Sequence, residues 1–237
     1  MNLLRILLVI SVFQLQAQKT IDPNYFSNPL DIPMVLSGSF GELRSNHFHS
    51  GLDIKTQQRS GVPIYAPADG YVSRIKVGHY GYGKALYIKH PNGYSTVYAH
   101  LQKFETTIQD FVKQSQYKKE RYEIELFPKE SSLLVKKGDL IAYTGNSGSS
   151  GGPHLHYEIR DAYSRPMNPM LFGLEIPDTK DPSVTSVLAY PVSDDATVNQ
   201  SSEPVKLRLI KQKDGTYKTE KISAYGKIGF GIDTTDQ

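Results

Sequence analysis

Short apolar runs that alternate with polar residues and turns make up most of the chain. The runs at 71–75, 85–90 and 94–101 are rich in Val, Ile, Tyr and Ala, which is typical of strands with a buried face. Asn92-Gly93 separates the last two runs, and this dipeptide accepts the positive φ angles of a two-residue hairpin turn. The pattern predicts an all-β fold made of antiparallel sheets.

One segment departs from the strand pattern. Ile108, Phe111 and Val112 recur at the spacing of a helix, and we expect one helix at about 105–121. Because strand-like runs lie on both sides of it, the helix is predicted to belong to an insertion of about residues 104–131 in the β domain.

The N-terminal segment has a pattern of its own. Residues 1–17 place a short apolar run behind Arg5 and end at a small residue, Ala17, which is the layout of a secretory signal peptide. The run is shorter than the roughly 20 apolar residues that span a bilayer. We therefore expect an exported protein, periplasmic or secreted, with no transmembrane anchor after signal removal.

Breaks in the pattern divide the rest of the chain. Residues 18–36 are polar and contain three prolines, so they predict an extended lead-in segment. The main domain is expected at 37–173 and a linker at 174–182. Residues 183–237 hold further strand-like runs, but so short a segment without cysteines makes a marginal core. It is either a β annex of the main domain or the start of a longer module.

Composition narrows the possible functions. The formal net charge of the 237 residues is only +3, which is too small to indicate a nucleic-acid surface. The chain has no cysteine, so disulfides and cysteine zinc sites are excluded. Any metal must be bound by His, Asp or Glu.

Two histidines two positions apart form the most informative motif. His154 and His156 lie in a run that predicts a strand, so their side chains share one face. Glu158 continues that face, and two interpretations stay open: a carboxylate at the rim of a cleft, which we favour, and one that orients a metal ligand. The glycine-rich loop at 145–152 is followed by neither a lysine nor a helix, so it fails as a phosphate cradle. We interpret it as the rim of the cleft.

A second motif supplies further candidate ligands. In a fully extended chain His49 and Asp53 would lie about 13 Å apart, but Ser50-Gly51 offers a bend that brings them together. His47 is the alternative to His49 as a ligand. We prefer His49 because Gly51 makes the turn towards Asp53.

These side chains fit one chemistry. A catalytic zinc commonly takes three ligands from His, Asp or Glu and leaves one position to water, whose pKa falls to about 7. His49, Asp53 and His156 would supply such a set, for one zinc ion per chain. His154 is then expected to be the general base on the zinc-bound water, and His100 its partner in proton transfer or in stabilising the oxyanion. The other histidines are expected to be structural: His47, His79 and His90.

Three motifs together resemble the lysostaphin-type, LytM-like zinc endopeptidases, which cut peptide cross-bridges of peptidoglycan. The motifs are His49-x-x-x-Asp53, Tyr98-Ala99-His100-Leu101 and His154-x-His156, within residues 37–173. The resemblance implies an antiparallel β fold with a metal-floored groove. It also implies that His49, Asp53 and His156 bind zinc and that His100 and His154 are catalytic.

The chain departs from the pattern of that family just upstream of the first ligand. Some members place a tyrosine there that helps to stabilise the transition state, whereas this chain has Leu43 and Arg44. We expect Arg44 to polarise the scissile carbonyl and, together with Tyr98, to contact the substrate.

The leading hypothesis is an exported zinc metalloendopeptidase that hydrolyses amide bonds in the peptide stems or cross-links of peptidoglycan. A non-catalytic regulator on the same scaffold would activate or recruit another cell-wall hydrolase, but such proteins typically lack ligands, and none is missing here. The hairpin at 135–139 also resembles lipoyl and biotinyl carrier domains. Those need a modified lysine in a particular setting at a hairpin tip, which we do not find in this sequence.

Overall fold

The computed structural model describes residues 21–174, 176–177 and 181–235. The predicted signal peptide at 1–17 lies outside the described residues, and so does part of the predicted linker at 174–182. No helix in the described part of the chain has the length and apolar character needed to cross a membrane.

The described chain forms two compact units. The first comprises residues 21–34 and 38–174, and the second comprises 35–37 and the described residues from 176 onwards. Strands make up most of the regular structure in both units, and the strand pairs are antiparallel. The predicted β fold with antiparallel sheets is confirmed.

Short strands make up most of the chain before residue 175. In chain order the elements before residue 175 are β1 (Leu36–Gly38), β2 (Leu52–Lys55), β3 (Pro63–Tyr65), β4 (Gly70–Val77), β5 (Lys84–Lys89), β6 (Ser95–Ala99), β7 (Lys103–Phe104), α1 (Thr106–Lys119), β8 (Ile124–Leu126), β9 (Leu134–Val135), β10 (Leu140–Tyr143), β11 (His154–Arg160), β12 (Pro166–Met167) and a 3-10 helix at Pro169–Phe172. The main sheet runs in the order β2-β11-β6-β5-β4-β8, and β3, β10 and β7 form a smaller sheet.

The central strands of the main sheet explain where its core lies. β5, β6 and β11 are buried along nearly their whole length. On β11, Leu155, Tyr157 and Ile159 are fully buried on one face, and alternation of side chains puts His154 and His156 on the other. β11 therefore shows one face to the apolar core and presents polar side chains on the opposite face.

Helix α1 confirms the predicted helix, with bounds one or two residues inside those expected. Its N-terminus is capped by the Glu105 side chain, which accepts a hydrogen bond from the backbone N–H of Thr107. It ends where Glu120 adopts a left-handed conformation, a common helix stop. Ile108 and Val112 are its buried residues, which matches the predicted apolar stripe.

The lead-in contributes to the core of the first unit. Phe26, Leu30 and Met34 are each less than 5% exposed. The backbone N–H of Ser27 also donates a hydrogen bond of 3.0 Å to the carbonyl of Pro67. A backbone hydrogen bond and apolar burial therefore hold this segment in the first unit.

The second unit is a small β structure. Its elements are β13 (Ser183–Pro191), β14 (Thr197–Val198), β15 (Val205–Leu207), β16 (Leu209–Lys211), β17 (Tyr217–Thr219), β18 (Ala224–Tyr225) and β19 (Ile228–Thr235). β13 lies between β15 and β19, and a small core forms around it from Val187, Ala189, Val198 and Leu207.

His90, directly after β5, is structural as expected and is only 3% exposed. Its Nδ1 donates to the carbonyl of Asp69 at 2.8 Å, and its Nε2 lies 2.9 Å from Thr96 Oγ1. Burial lowers the pKa of His90 to about 4. The folded protein therefore holds this ring neutral at a pH where the unfolded chain protonates it.

This difference predicts a loss of stability in acid. Below the unfolded-state pKa of about 6.5 the unfolded chain binds the extra proton, so the free energy of unfolding falls between pH 6.5 and 4, by on the order of 3 kcal/mol. Urea unfolding of His90→Asn in metal-free buffer should show a shallower slope over that range. The exposed His79→Asn serves as the control. Parallel curves for His90→Asn and the unchanged protein would contradict the prediction.

Candidate metal centre

Strand pairing brings the predicted ligands together. β11 pairs with β2, and His156 lies directly opposite Asp53 in that register. His49 precedes β2 and reaches the same point because the chain turns tightly at Gly51. A Cβ at Gly51 would lie 2.3 Å from the carbonyl oxygen of Tyr157. Only glycine lets this segment approach β11 so closely.

Three ligand atoms converge at this point. His49 Nε2 lies 3.1 Å from Asp53 Oδ1 and 3.0 Å from His156 Nδ1, and His156 Nδ1 lies 2.9 Å from Asp53 Oδ1. His49 and His156 are buried, and Asp53 is half-buried. The motif spacing therefore translates into a compact cluster that could hold a metal ion.

The outer nitrogen of each histidine fixes which nitrogen faces the cluster. His49 Nδ1 lies 2.8 Å from the carbonyl of Ser39, and His156 Nε2 lies 2.9 Å from Glu158 Oε1. A carbonyl oxygen can only accept, so Nδ1 of His49 donates to Ser39 and its Nε2 is the nitrogen that could bind a metal. His156 lies between two carboxylates, because its Nδ1 also lies 2.9 Å from Asp53 Oδ1. A metal held by Asp53 would take the lone pair of Nδ1 and leave the ring proton on Nε2.

Asp53 completes the donor set. Its Oδ2 accepts a hydrogen bond of 3.0 Å from Arg44 Nη2, while its Oδ1 faces both histidines. Two imidazole nitrogens and one carboxylate oxygen are a ligand set that suits divalent zinc. Because the three donor atoms lie within about 3.1 Å of one another in a partly buried space, the residues present fit a metal ion.

The charges around the cluster shift several pKa values. Burial raises the pKa of Asp53, but hydrogen bonds with three histidines outweigh it and hold that pKa well below its usual value. Burial lowers the pKa of His156, but hydrogen bonds with Asp53 and Glu158 outweigh it and raise the pKa. A proton and a metal ion therefore compete for Nδ1 of His156.

Two further histidines stand beside the cluster, and the glycine-rich loop fixes their tautomers. His154 Nδ1 lies 2.8 Å from the carbonyl of Gly152, and His100 Nδ1 lies 2.8 Å from the carbonyl of Ser147. Each Nδ1 therefore donates, and Nε2 is the atom that can accept a proton. The two rings lie 4.8 Å apart between centroids, and His154 Nε2 is 3.4 Å from Asp53 Oδ1.

The glycine-rich loop is held in place by the turn between β4 and β5. The backbone N–H of Ser149 donates to the carbonyl of Gly81 at 2.8 Å, and that of Lys84 donates to Ser147 Oγ at 3.0 Å. Gly148 has a φ of 75°, and a Cβ there would lie 2.3 Å from the Gly81 carbonyl. The loop can dock this closely only with glycine at position 148.

His100 occupies an unusual backbone position. It follows β6 with a φ of 58°, a left-handed conformation that is uncommon for a residue other than glycine. Burial lowers its pKa to about 4, despite the hydrogen bond to Ser147. The ring is therefore neutral at pH 7, and a cation bound nearby would only lower this pKa further.

The structure thus brings together the residues that the sequence singled out: His49, Asp53, His100, His154 and His156. His47 is exposed and contacts Asn46 rather than the cluster. Arg44 binds Asp53, and its expected contact with a scissile carbonyl stays a prediction.

Two expectations about neighbouring residues are wrong. Tyr98 is fully buried and pairs with Tyr157. Both side chains lie on the core face of the sheet, and His156 lies on the other face, so Tyr98 cannot contact a substrate. Glu158 is also fully buried, so it does not lie at the rim, and it is bonded to His156 instead.

Sequence reasoning missed two residues that contact Glu158. The Ser50 hydroxyl donates to Glu158 Oε1 at 2.8 Å, and the Tyr82 hydroxyl forms a short hydrogen bond with the same oxygen. In the sequence, Ser50 indicates only the bend between His49 and Asp53. Tyr82 comes from a glycine-containing turn 76 residues from Glu158, and nothing local in the sequence connects the two.

Comparison with known proteins identifies relatives of this part of the chain. Residues 47–117 and 129–169 match the model of peptidase family M23. The chain is 33% identical over 136 residues to the DD-carboxypeptidase/endopeptidase Mpg of Neisseria meningitidis, a match that covers 57% of this chain and 25% of Mpg. It is 32% identical over 160 residues to the peptidoglycan DD-endopeptidase ShyB of Vibrio cholerae, covering 67% of this chain and 31% of ShyB.

The matches span less than a third of the length of these relatives. Among solved structures, the catalytic domain of the M23 protein EnpA from Enterococcus faecalis is similar over 62% of this chain and 98% of its own. The sequence identity is 24% and the TM-score is 0.45.

The close approach at Gly51 predicts a specific sensitivity. Gly51→Ala would place a Cβ 2.3 Å from backbone and 2.8 Å from Glu158 Cγ. We expect a loss of about 2 kcal/mol or more in the free energy of unfolding, because β2 and β11 must separate. Urea unfolding measures this loss.

The matched control is Gly151→Ala, where a Cβ would meet nothing within 4 Å. It should unfold like the unchanged protein. Equal free energies of unfolding for the two variants would show that the pairing of β2 with β11 does not require glycine at position 51.

Proposed function

Since the chain contains a domain of peptidase family M23, matched at residues 47–117 and 129–169, we propose that it is an exported zinc metalloendopeptidase that hydrolyses amide bonds in peptidoglycan peptides. The observation that carries the proposal is the convergence of His49, Asp53 and His156, with two further histidines of fixed tautomer beside them. A non-catalytic regulator is disfavoured because no member of this constellation is missing.

The metal ligands are proposed to be His49 Nε2, Asp53 Oδ1 and His156 Nδ1, for one zinc ion per chain. Two nitrogens and one carboxylate oxygen match the preference of zinc, and three protein ligands leave a position open for water or substrate. Zinc bound there supplies a Lewis acid that polarises a carbonyl group and makes water more acidic. Arg44 keeps Oδ2 of Asp53 occupied, which favours a single carboxylate oxygen as ligand.

His154 is proposed to handle the proton of the attacking water. Its Nδ1–H is fixed on the Gly152 carbonyl, so Nε2 is the basic nitrogen, and that nitrogen lies beside the ligand cluster, 3.4 Å from Asp53 Oδ1. Once Nε2 has taken the proton, it can deliver it to the leaving amine. One side chain thus serves both the attack on the amide and the departure of the amine.

His100 is proposed to orient the attacking water. Because its ring is neutral and its Nδ1–H is bonded to Ser147, Nε2 can accept a hydrogen bond but cannot donate one. Stabilising an oxyanion would need an N–H at Nε2. A neutral His100 with this tautomer is therefore suited to accepting a hydrogen bond from water and not to holding the oxyanion.

The substrate and the location are proposed on other grounds. ShyB is named a peptidoglycan DD-endopeptidase and Mpg a DD-carboxypeptidase/endopeptidase, and a related domain with a complete site is expected to act on the same class of peptide. Export is proposed from the apolar, signal-like pattern at residues 1–17.

Metal analysis tests the ligand assignment. The purified protein should bind about one zinc ion per chain, and zinc should raise its thermal unfolding midpoint, because a ligand that binds the folded state stabilises it. His156→Ala should lose both the stoichiometric zinc and the rise in midpoint. His79→Ala, on the exposed turn, should retain both. Stoichiometric zinc in His156→Ala would show that His156 is not a zinc ligand.

Hydrolysis of purified peptidoglycan tests the proton-transfer assignment. His154→Ala should keep its zinc but hydrolyse peptides at least about 100-fold more slowly, since a general base contributes a factor of this order. His47→Ala serves as the control with full activity. Full activity of zinc-loaded His154→Ala would refute the role of His154 as general base. Mass spectrometry identifies the bond that is cut, and products cleaved within the sugar chain would refute the peptidase activity.

A further inference from the structure

Glu158 is a buried carboxylate that the proposed reaction does not use. It is 0% exposed and lies on β11 two positions after His156. Burying a carboxylate is costly unless it has partners. The partners of Glu158 therefore indicate what its side chain does.

The two oxygens of Glu158 have different partners. Oε2 accepts a hydrogen bond of 2.5 Å from Arg160 Nε, which balances the charge. Oε1 faces three groups: His156 Nε2 at 2.9 Å, the Ser50 hydroxyl at 2.8 Å and the Tyr82 hydroxyl. The arginine thus holds one oxygen and leaves the other for the metal-ligand side of the strand.

The ring of His156 lies between two carboxylate oxygens, with Glu158 Oε1 2.9 Å from Nε2 and Asp53 Oδ1 2.9 Å from Nδ1. We propose that Glu158 is a positioning residue that holds the proton of His156 on Nε2, so that the ring binds the metal through Nδ1. This inference rests on the proposed metal site, but not on the substrate or the reaction. Without the acceptor beside Nε2, Asp53 Oδ1 would draw the ring proton to Nδ1, and an Nδ1–H cannot bind a metal ion.

Glu158 also ties the other two ligands to the same point. Ser50 lies between His49 and Gly51, so its hydrogen bond to Oε1 fixes the segment that carries His49 and leads into Asp53. The Tyr82 ring lies 5.1 Å from the ring of His156 and limits its rotation. One carboxylate oxygen therefore sets both the tautomer of one ligand and the approach of the segment that bears the others.

Glu158→Gln tests the proposal with little change of shape. The amide lacks the charge, and its NH₂ group can donate to Nε2, which favours the tautomer with the proton on Nδ1. We expect zinc to bind about 10–100-fold more weakly in competition with a chromophoric chelator. The absorption spectrum of the cobalt-substituted variant should also differ from that of the unchanged protein. Glu130→Gln, an exposed carboxylate bonded only to a tyrosine hydroxyl, should match the unchanged protein in both measurements.

The outcomes separate this inference from the proposed function. If the unchanged protein binds no zinc, the metal site itself is refuted. If it binds zinc and a folded Glu158→Gln binds equally tightly, only the positioning role is refuted, and any loss of thermal stability then reports packing.

A second measurement does not depend on the variant folding. Nitrogen-15 NMR of the zinc-loaded, unchanged protein should show His156 with a protonated Nε2 and a metal-bound Nδ1. Binding through Nε2 would overturn the proposal.

Discussion

The site depends on the register between β2 and β11, which puts Asp53 opposite His156. Side chains alternate along a strand, so a slip of one residue would turn His156 into the core and bring Leu155 or Tyr157 to the ligand face. Burial prevents this slip, because Leu155 and Tyr157 are fully enclosed on the core face. The apolar half of β11 therefore fixes the geometry of its polar half.

The parts of the site that could be predicted from the sequence are those set by local geometry. Alternation along a strand gave His154 and His156 one face, and the Ser50-Gly51 bend brought His49 to Asp53. These rules need only neighbouring residues. The helix was predictable for the same reason, since its apolar stripe lies within four turns.

The parts that could not be predicted depend on what packs against each strand. Tyr98 directly precedes Ala99 and His100, yet it points into the core because it pairs with Tyr157. Glu158 was expected at the rim because carboxylates are seldom fully buried. Arg160, two positions further on the same face, pairs with Glu158 and balances its charge. An arginine at this spacing is a local feature of the sequence that is consistent with a buried Glu158. The other contacts of Glu158 join distant segments, and periodicity does not report them.

The glycine-rich loop shows how backbone atoms control side-chain chemistry. The carbonyl of Ser147 accepts from Nδ1–H of His100, and that of Gly152 accepts from Nδ1–H of His154. The outer nitrogens of the two histidine ligands face oxygens in the same way: Nδ1 of His49 faces Ser39, and Nε2 of His156 faces Glu158. The inner nitrogens of His49, His154 and His156 all lie within 3.4 Å of Asp53 Oδ1. A proton or a metal ion bound among them offsets the charge of that carboxylate. Metal binding and folding of this region are therefore coupled, and the buried strands of the main sheet provide the stability that holds the ligands in place.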